Sequence, residues 1–201
     1  MGKNVVIIGG VACGSKVAAR LRRLDPEASI TVLEKGRSLS YAGCGMPYFL
    51  GGVVPDYRSL TSTSLGIERD AAFFRKVKHV DVLIRHQATR IDRERRTVTA
   101  LDLESGQERA FPYDALVLAL GAQPIRPQVP GVDLAGVFSL GTLEDALAIS
   151  RALEEGTVRR AVVVGSGLIG LEMVEALKHR GVEVSLVELL DRPLGTLFDQ
   201  D

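Results

Sequence analysis

The sequence predicts an α/β protein: a doubly wound parallel sheet carrying inserted antiparallel strands, followed by the start of a second domain of the same kind. Three observations predict it. A β-turn-α-β pattern opens the chain, the same pattern returns from Arg160, and a series of short strands lies between them. At roughly 100–200 residues per domain, the 201 residues leave room for one domain and part of another. A chain of this size buries a core without needing disulfides or metals.

Asn4 to Ile8 reads NVVII, a β-branched run suited to a parallel strand buried on both faces. Gly9, Gly10 and Gly14 follow, then Ser15 to Leu24 with Val17, Ala18 and Leu21 at helical spacing, stopped by Asp25-Pro26. Ser29 to Leu33 is a second apolar strand with Glu34 at its end. A right-handed crossover makes these two strands parallel. The stretch from Leu39 to Gly52 is glycine-rich and irregular, and Glu68 to Lys78 is helical. Val80–Ile84, Ala88–Asp92, Thr97–Leu103 and Glu108–Phe111 read as strands, with Ser105-Gly106 turning one hairpin. Ala115 to Leu120 is a further buried strand ending in Gly121.

Pro124, Pro127 and Pro130 give residues 122–131 the composition of a linker. Thr142 is placed to cap a helix over Leu143 to Glu155. The opening pattern then repeats: strand Arg160–Val164, turn Gly165, Gly167 and Gly170, helix Leu171–His179 ended by Gly181, and strand Glu183–Val187 closed by Glu188.

Several function classes are excluded by composition. Lys+Arg 25 against Asp+Glu 25 leaves no basic footprint for nucleic acid. No apolar run approaches the roughly 18 residues of a membrane span, and with Met1 almost directly before a strand no signal peptide is expected. Two cysteines, Cys13 and Cys44, are too few for a secreted disulfide scaffold, so a cytoplasmic protein is expected. His79, His86 and His179 are scattered without metal-ligand spacing, and no metal site is expected.

The second turn, Gly165-Ser166-Gly167-Leu168-Ile169-Gly170, is a complete G-x-G-x-x-G between a strand and a helix, with an acid at the end of the next strand. Gly165 permits the tight turn, Gly167 lets the backbone approach a pyrophosphate, and Gly170 lets helix and strand pack closely. The helix start offers amide N–H groups and a positive dipole end to the phosphates. Glu188 is expected to accept from a ribose 2′-hydroxyl and repel a 2′-phosphate, favouring NADH. The first turn, Gly9-Gly10-Val11-Ala12-Cys13-Gly14, has Val11 in place of the middle glycine, and Glu34 supplies the acid. A glycine turn of purely structural purpose is the competing reading of each. Two dinucleotide sites on one chain suggest a flavin exchanging electrons with a nicotinamide.

Ser40-Tyr41-Ala42-Gly43-Cys44-Gly45-Met46-Pro47-Tyr48 follows the first β-α-β unit. With the two turns, Glu34, Tyr113-Asp114 to Gly121 and Glu188, this segment resembles the pyridine nucleotide–disulfide oxidoreductases along essentially the whole chain. Leu39 and Phe49 stand five positions either side of Cys44, so the dithiol pattern is absent. The resemblance is to the single-cysteine branch, which includes coenzyme A-disulfide reductases, persulfide and polysulfide reductases, NADH oxidases and NADH peroxidases. Ala12 occupies the position where oxidases and peroxidases usually carry histidine, and Cys44-Gly45-Met46-Pro47-Tyr48 matches the reductases' C-G-x-P-Y. Gly43 departs from the Asn that often precedes the cysteine in those reductases.

The resemblance implies a Rossmann-like FAD-binding domain over residues 1–121, a crossover over 122–141 and an incomplete NADH-binding domain over 142–201. FAD is expected at Gly9, Gly10, Val11, Ala12, Gly14, Glu34, Lys35, Ser40, Pro47, Ala88 and Gly121. NADH is expected at Gly165, Gly167, Leu168, Ile169, Gly170, Glu172 and Glu188. Cys44 is the implied redox centre, and its thiolate would gain from N–H groups at the start of a helix. Arg20, Arg23, Ser40, Gly43 and Lys78 are implied substrate contacts, with coenzyme A phosphates on the cations. A solvated helix face is the other reading of Arg20, Arg22 and Arg23. Cys13 is read as packing in the first turn, with a resolving role beside Cys44 left open. The expected activity is NADH-driven reduction of a disulfide or persulfide. The alternatives are an NADH oxidase or peroxidase cycling Cys44 through sulfenic acid, and a fragment that binds nucleotides without turnover. Family members continue into further domains and a dimer interface, so the chain is expected to be the front of a longer homodimeric enzyme.

Overall fold

A computed structural model describes residues 2–195 and 197–198. In chain order the elements are β1 (Asn4–Ile8), α1 (Cys13–Leu24), β2 (Ser29–Leu33), a 3-10 turn (Gly43–Gly45), α2 (Met46–Leu50), α3 (Arg58–Thr61) and α4 (Ala71–Lys78). Next come β3 (Asp81–Leu83), β4 (His86–Asp92), β5 (Thr97–Asp102), β6 (Glu108–Pro112) and β7 (Ala115–Leu118). The chain continues through α5 (Leu143–Glu154), β8 (Arg160–Val164), α6 (Leu168–His179) and β9 (Glu183–Val187). They form two units, one of Met1–Ala42 with Thr61–Ala122 and one of Gly43–Leu60 with Gln123–Asp201. The segment bearing Cys44 thus clusters with residues beyond 122. The far end of the 142–201 expectation, residues 199–201, lies outside the described residues.

The first unit is built on a parallel sheet of order β3-β2-β1-β7. Side chains alternate across a strand, so the unbroken apolar run of β1 has two faces to bury. Val5 and Ile7 pack with Ala18 of α1 and Phe74 of α4. Val6 and Ile8 pack with Val98, Ala100 and Phe111 of the antiparallel sheet β4-β5-β6. Helices therefore cover one face and the inserted strands the other. Gly106, at φ +72°, turns β5 into β6 as Ser105-Gly106 predicts.

In the second unit β8 and β9 pair in parallel, and α2 packs on α5 and α6. That packing depends on Gly51, where an added Cβ would lie 3.1 Å from Ala176 Cα in α6. The Thr142 cap forms as expected and is reciprocal. Its side chain accepts from the Asp145 amide at 3.2 Å, while Asp145 Oδ2 accepts from the Thr142 amide at 2.8 Å.

The element boundaries differ from expectation where glycine was read as turn. α1 starts at Cys13 and α6 at Leu168, so Gly14 and Gly170 lie inside first helical turns. The sparse helix Glu68–Lys78 begins only at Ala71, because Asp70 Oδ1 accepts from the Phe73 amide at 2.7 Å and caps it. β7 ends at Leu118, before the left-handed Gly121 at φ +67°, and it is not the buried strand expected, since Leu118 and Leu120 are exposed; Val162 and Val164 of β8 are exposed as well.

Candidate functional site

In the first unit the turn after β1 is shaped by glycines that no other residue replaces. Gly9 has φ +102°, and an added Cβ there would lie 2.0 Å from the Ala119 carbonyl oxygen. At Gly14 an added Cβ would lie 1.8 Å from the Gly9 carbonyl oxygen, which seats α1 directly on the end of β1. Val11 is half-buried and Ala12 exposed, and no side chain caps α1 at its Ala12 end. The amides there are left to a ligand or to water. Ser15 turns its hydroxyl back to donate to the Val11 carbonyl.

Glu34 is buried at the end of β2. Its Oε2 accepts from the Gly10 amide at 2.6 Å and its Oε1 from the Gly36 amide at 2.7 Å. The Ser40 amide donates to the Gly10 carbonyl at 3.0 Å, with Ser40 itself in the left-handed region at φ 48°. Gly9, Gly10, Gly14, Glu34 and Ser40 are thereby brought together at the ends of β1 and β2. Lys35 is exposed beside them, Ala88 is half-buried against the β5–β6 core, and Gly121 is exposed.

The basic positions divide. Arg20 and Arg23 are exposed on α1. Arg22 instead ties α1 to the following loops, donating to the carbonyls of Pro26 at 2.6 Å and His79 at 2.8 Å. Lys78 Nζ stands 5.6 Å from the centre of the Phe73 ring. Cys13, the first residue of α1, is free and exposed rather than packed in the turn as expected.

In the second unit the turn after β8 repeats this design. Gly165 has φ +97°, and an added Cβ at Gly170 would lie 1.9 Å from the Gly165 carbonyl oxygen. Gly167 caps α6 without a side-chain hydrogen bond and faces open space, the room a pyrophosphate needs. Leu168 and Ile169 are exposed and Glu172 is half-buried. Glu188 Oε2 accepts from both the amide and the hydroxyl of Ser166, at 2.7 and 2.6 Å. Its Oε1 accepts from the amides of Leu189 and Leu190, at 2.7 and 3.0 Å. The Ser166 hydroxyl, then these amides, hold the Glu188 carboxyl down at about 2, against an ordinary 4.5. Ser166 was not among the expected site residues. The legible signal was a hydroxyl residue between the first two glycines, facing an acid 22 positions on.

Cys44 is free and exposed in the Gly43–Gly45 turn, immediately before α2. Pro47, buried in the first turn of α2, has no N–H to leave unsatisfied there, and Leu50 anchors the helix in the unit's core. The helix is short, so its position comes from packing on α5 and α6. No group of three or more metal-ligating side chains occurs among the described residues. None of their helices is long and apolar enough to cross a membrane.

The family model for pyridine nucleotide-disulphide oxidoreductases matches residues 3–201. The chain belongs to this family. Among its relatives is the coenzyme A disulfide reductase of Staphylococcus haemolyticus, 33% identical over 99% of this chain and 43% of that protein. An NADH oxidase of Methanocaldococcus jannaschii is also 33% identical, over 98% of this chain and 43% of its own length. Among solved structures, the NAD-dependent persulfide reductase from A. fulgidus matches with a TM-score of 0.94 and 45% identity, over 98% of this chain and 36% of that one. The chain thus spans less than half the length of these relatives. The family's cofactors are FAD and a pyridine nucleotide.

Proposed function

We propose that the chain carries the flavin turn, the pyridine nucleotide turn and the redox cysteine of an NADH-dependent reductase acting on a disulfide or persulfide, of which a coenzyme A disulfide is the model substrate. The observation that carries this reading is Cys44: free, exposed and flanked by glycines, on a chain whose two acid-closed glycine turns both fit a dinucleotide. FAD belongs to the turn of Gly9, Gly10, Val11, Ala12 and Gly14, where Glu34 keeps lone pairs for ribose hydroxyls. NADH belongs to Gly165, Gly167 and Gly170, with the Glu188 charge opposing a 2′-phosphate. When bound, these cofactors supply two-electron transfer from a dihydronicotinamide to sulfur.

The chain's own part is played by Cys44. Its thiolate attacks one sulfur of R–S–S–R, forming a mixed Cys44–S–S–R disulfide and releasing one thiolate, which takes a proton. Two electrons and a further proton then return the Cys44 thiolate and release the second thiol. The exposure of Cys44 admits a bulky thiol. A homodimer in the cytoplasm belongs to the same reading.

The similarity to an NADH oxidase favours one second reading, in which peroxide oxidises Cys44 to a sulfenic acid that two electrons and two protons reduce to thiol and water. The two are separated by supplying NADH and FAD to the protein and following coenzyme A disulfide loss and oxygen uptake side by side. Disulfide reduction that falls at least about 100-fold in Cys44→Ser, with FAD binding retained, is the expected result. Fast oxygen or peroxide consumption without disulfide loss would establish the second reading. Unchanged disulfide turnover in the variant would remove Cys44 from the mechanism.

A further inference from the structure

We infer that Ser166 is a positioning residue that fixes the orientation of the Glu188 carboxylate, and thereby sets which pyridine nucleotide the second turn accepts. The inference rests on reading that turn as a dinucleotide site. It comes from comparing the two turns within this one chain. Their backbones match at the start: Gly9 and Gly165 have φ +102° and +97°, and their amides donate to Leu33 and Val187 carbonyls at 2.8 Å each. The next residue in each, Gly10 or Ser166, donates its amide to the acid that closes the following strand, at 2.6 and 2.7 Å.

They differ in what else holds the acid. Glu34 receives two amides, one on each oxygen. Glu188 receives four donors: the amide and hydroxyl of Ser166 on Oε2, and the Leu189 and Leu190 amides on Oε1. An ionised carboxylate has about four acceptor positions. Glu34 therefore keeps two for the hydroxyls of a ribose, whereas Glu188 has its acceptor positions occupied by the chain itself. Toward an incoming ribose Glu188 acts as a fixed negative charge, which tolerates a 2′-hydroxyl and opposes a 2′-phosphate.

The hydroxyl is the element that can be varied. Ser166 is fully buried, and its hydroxyl donates to Oε2 at 2.6 Å. The first turn has no room for the same device, because a Cβ at Gly10 would lie 2.8 Å from Leu39 Cδ2 and 3.2 Å from Glu34 Cβ. The groups facing Glu188 are the Ser166 hydroxyl and amide and the two following amides, and no ion pair reaches it among the described residues. Of the charged residues next in sequence, Arg192 donates instead to the Phe198 carbonyl at 3.0 Å, and Asp191 adds charge of the same sign as Glu188.

The experiment titrates NAD+ and NADP+ into the protein by calorimetry and follows the Glu188 carboxyl by carbon-13 NMR without ligand. In Ser166→Ala the preference for NAD+ over NADP+ should fall about fivefold, and the Glu188 midpoint should rise by a unit or more. Glu188→Gln should lower the preference about tenfold or more. Ser166→Gly, which copies Gly10, should reproduce the Ala result and covers the case in which the Ala variant does not fold. An unchanged preference in variants that still bind NAD+ overturns the proposal alone, as does a lowered preference with an unmoved Glu188 midpoint. Failure of the unaltered protein to bind NAD+ overturns the dinucleotide reading together with it.

Discussion

At the scale of single residues, two carboxylates of matching placement differ in what holds them, two amides on Glu34 against three amides and a hydroxyl on Glu188. Glu34 and Glu188 each close a strand beside a glycine turn, and both acids and both turns are legible as motifs. The saturation of Glu188 is not, because it depends on where the Ser166 hydroxyl and two loop amides point. A consequence for stability follows. The folded state holds Glu188 near 2 against an ordinary 4.5, so its charged form is the one folding favours. That contribution is complete above about pH 4.5 and disappears as the pH falls toward 2. Glu188→Gln is therefore expected to be less stable than the parent at pH 7, with the difference shrinking through pH 4 and closing near pH 2. Denaturant titrations at pH 7, 4 and 2.5 check it, and a pH-independent difference would assign the effect to packing.

At the scale of elements, β1 was readable because its apolar run is unbroken, as a strand covered on both faces requires. The helix starts were less readable. Gly14 and Gly170 look like turn residues, yet each lies within a first helical turn because a carbonyl oxygen occupies the space of its Cβ. α3 and the exact span of α2 escaped the sequence because helices of four and five residues carry too little periodicity. α5 was legible from its cap, and the cap is stronger than one hydroxyl implies: Asp145 Oδ2 also accepts from the Gly141 amide at 3.0 Å. Thr142→Ala should cost about 1 kcal/mol in the second unit. Asp145→Ala, which frees the Gly141 and Thr142 amides together, should cost at least as much. Urea unfolding with unchanged slope would register both. No shift in either variant would mean that packing alone holds the start of α5.

At the scale of the whole molecule, the chain contains one strand-turn-helix-acid design twice, each copy in its own unit. The two turns keep their first and last glycines and differ at the four positions between, Gly10-Val11-Ala12-Cys13 in one and Ser166-Gly167-Leu168-Ile169 in the other. If each turn serves its own cofactor, damage to one leaves the other working. Gly14→Ala places a Cβ against the Gly9 carbonyl and should weaken FAD binding at least about tenfold, while NAD+ binding stays within about twofold. Gly170→Ala places a Cβ against the Gly165 carbonyl and should do the reverse. Because a ligand stabilises only the state that binds it, the same pattern is expected in unfolding: FAD raises the melting temperature of the Gly170 variant, and NAD+ that of the Gly14 variant. Loss of both affinities from either single substitution would show that the two turns act as one site, and the assignment of FAD to the first and NADH to the second would fall with it.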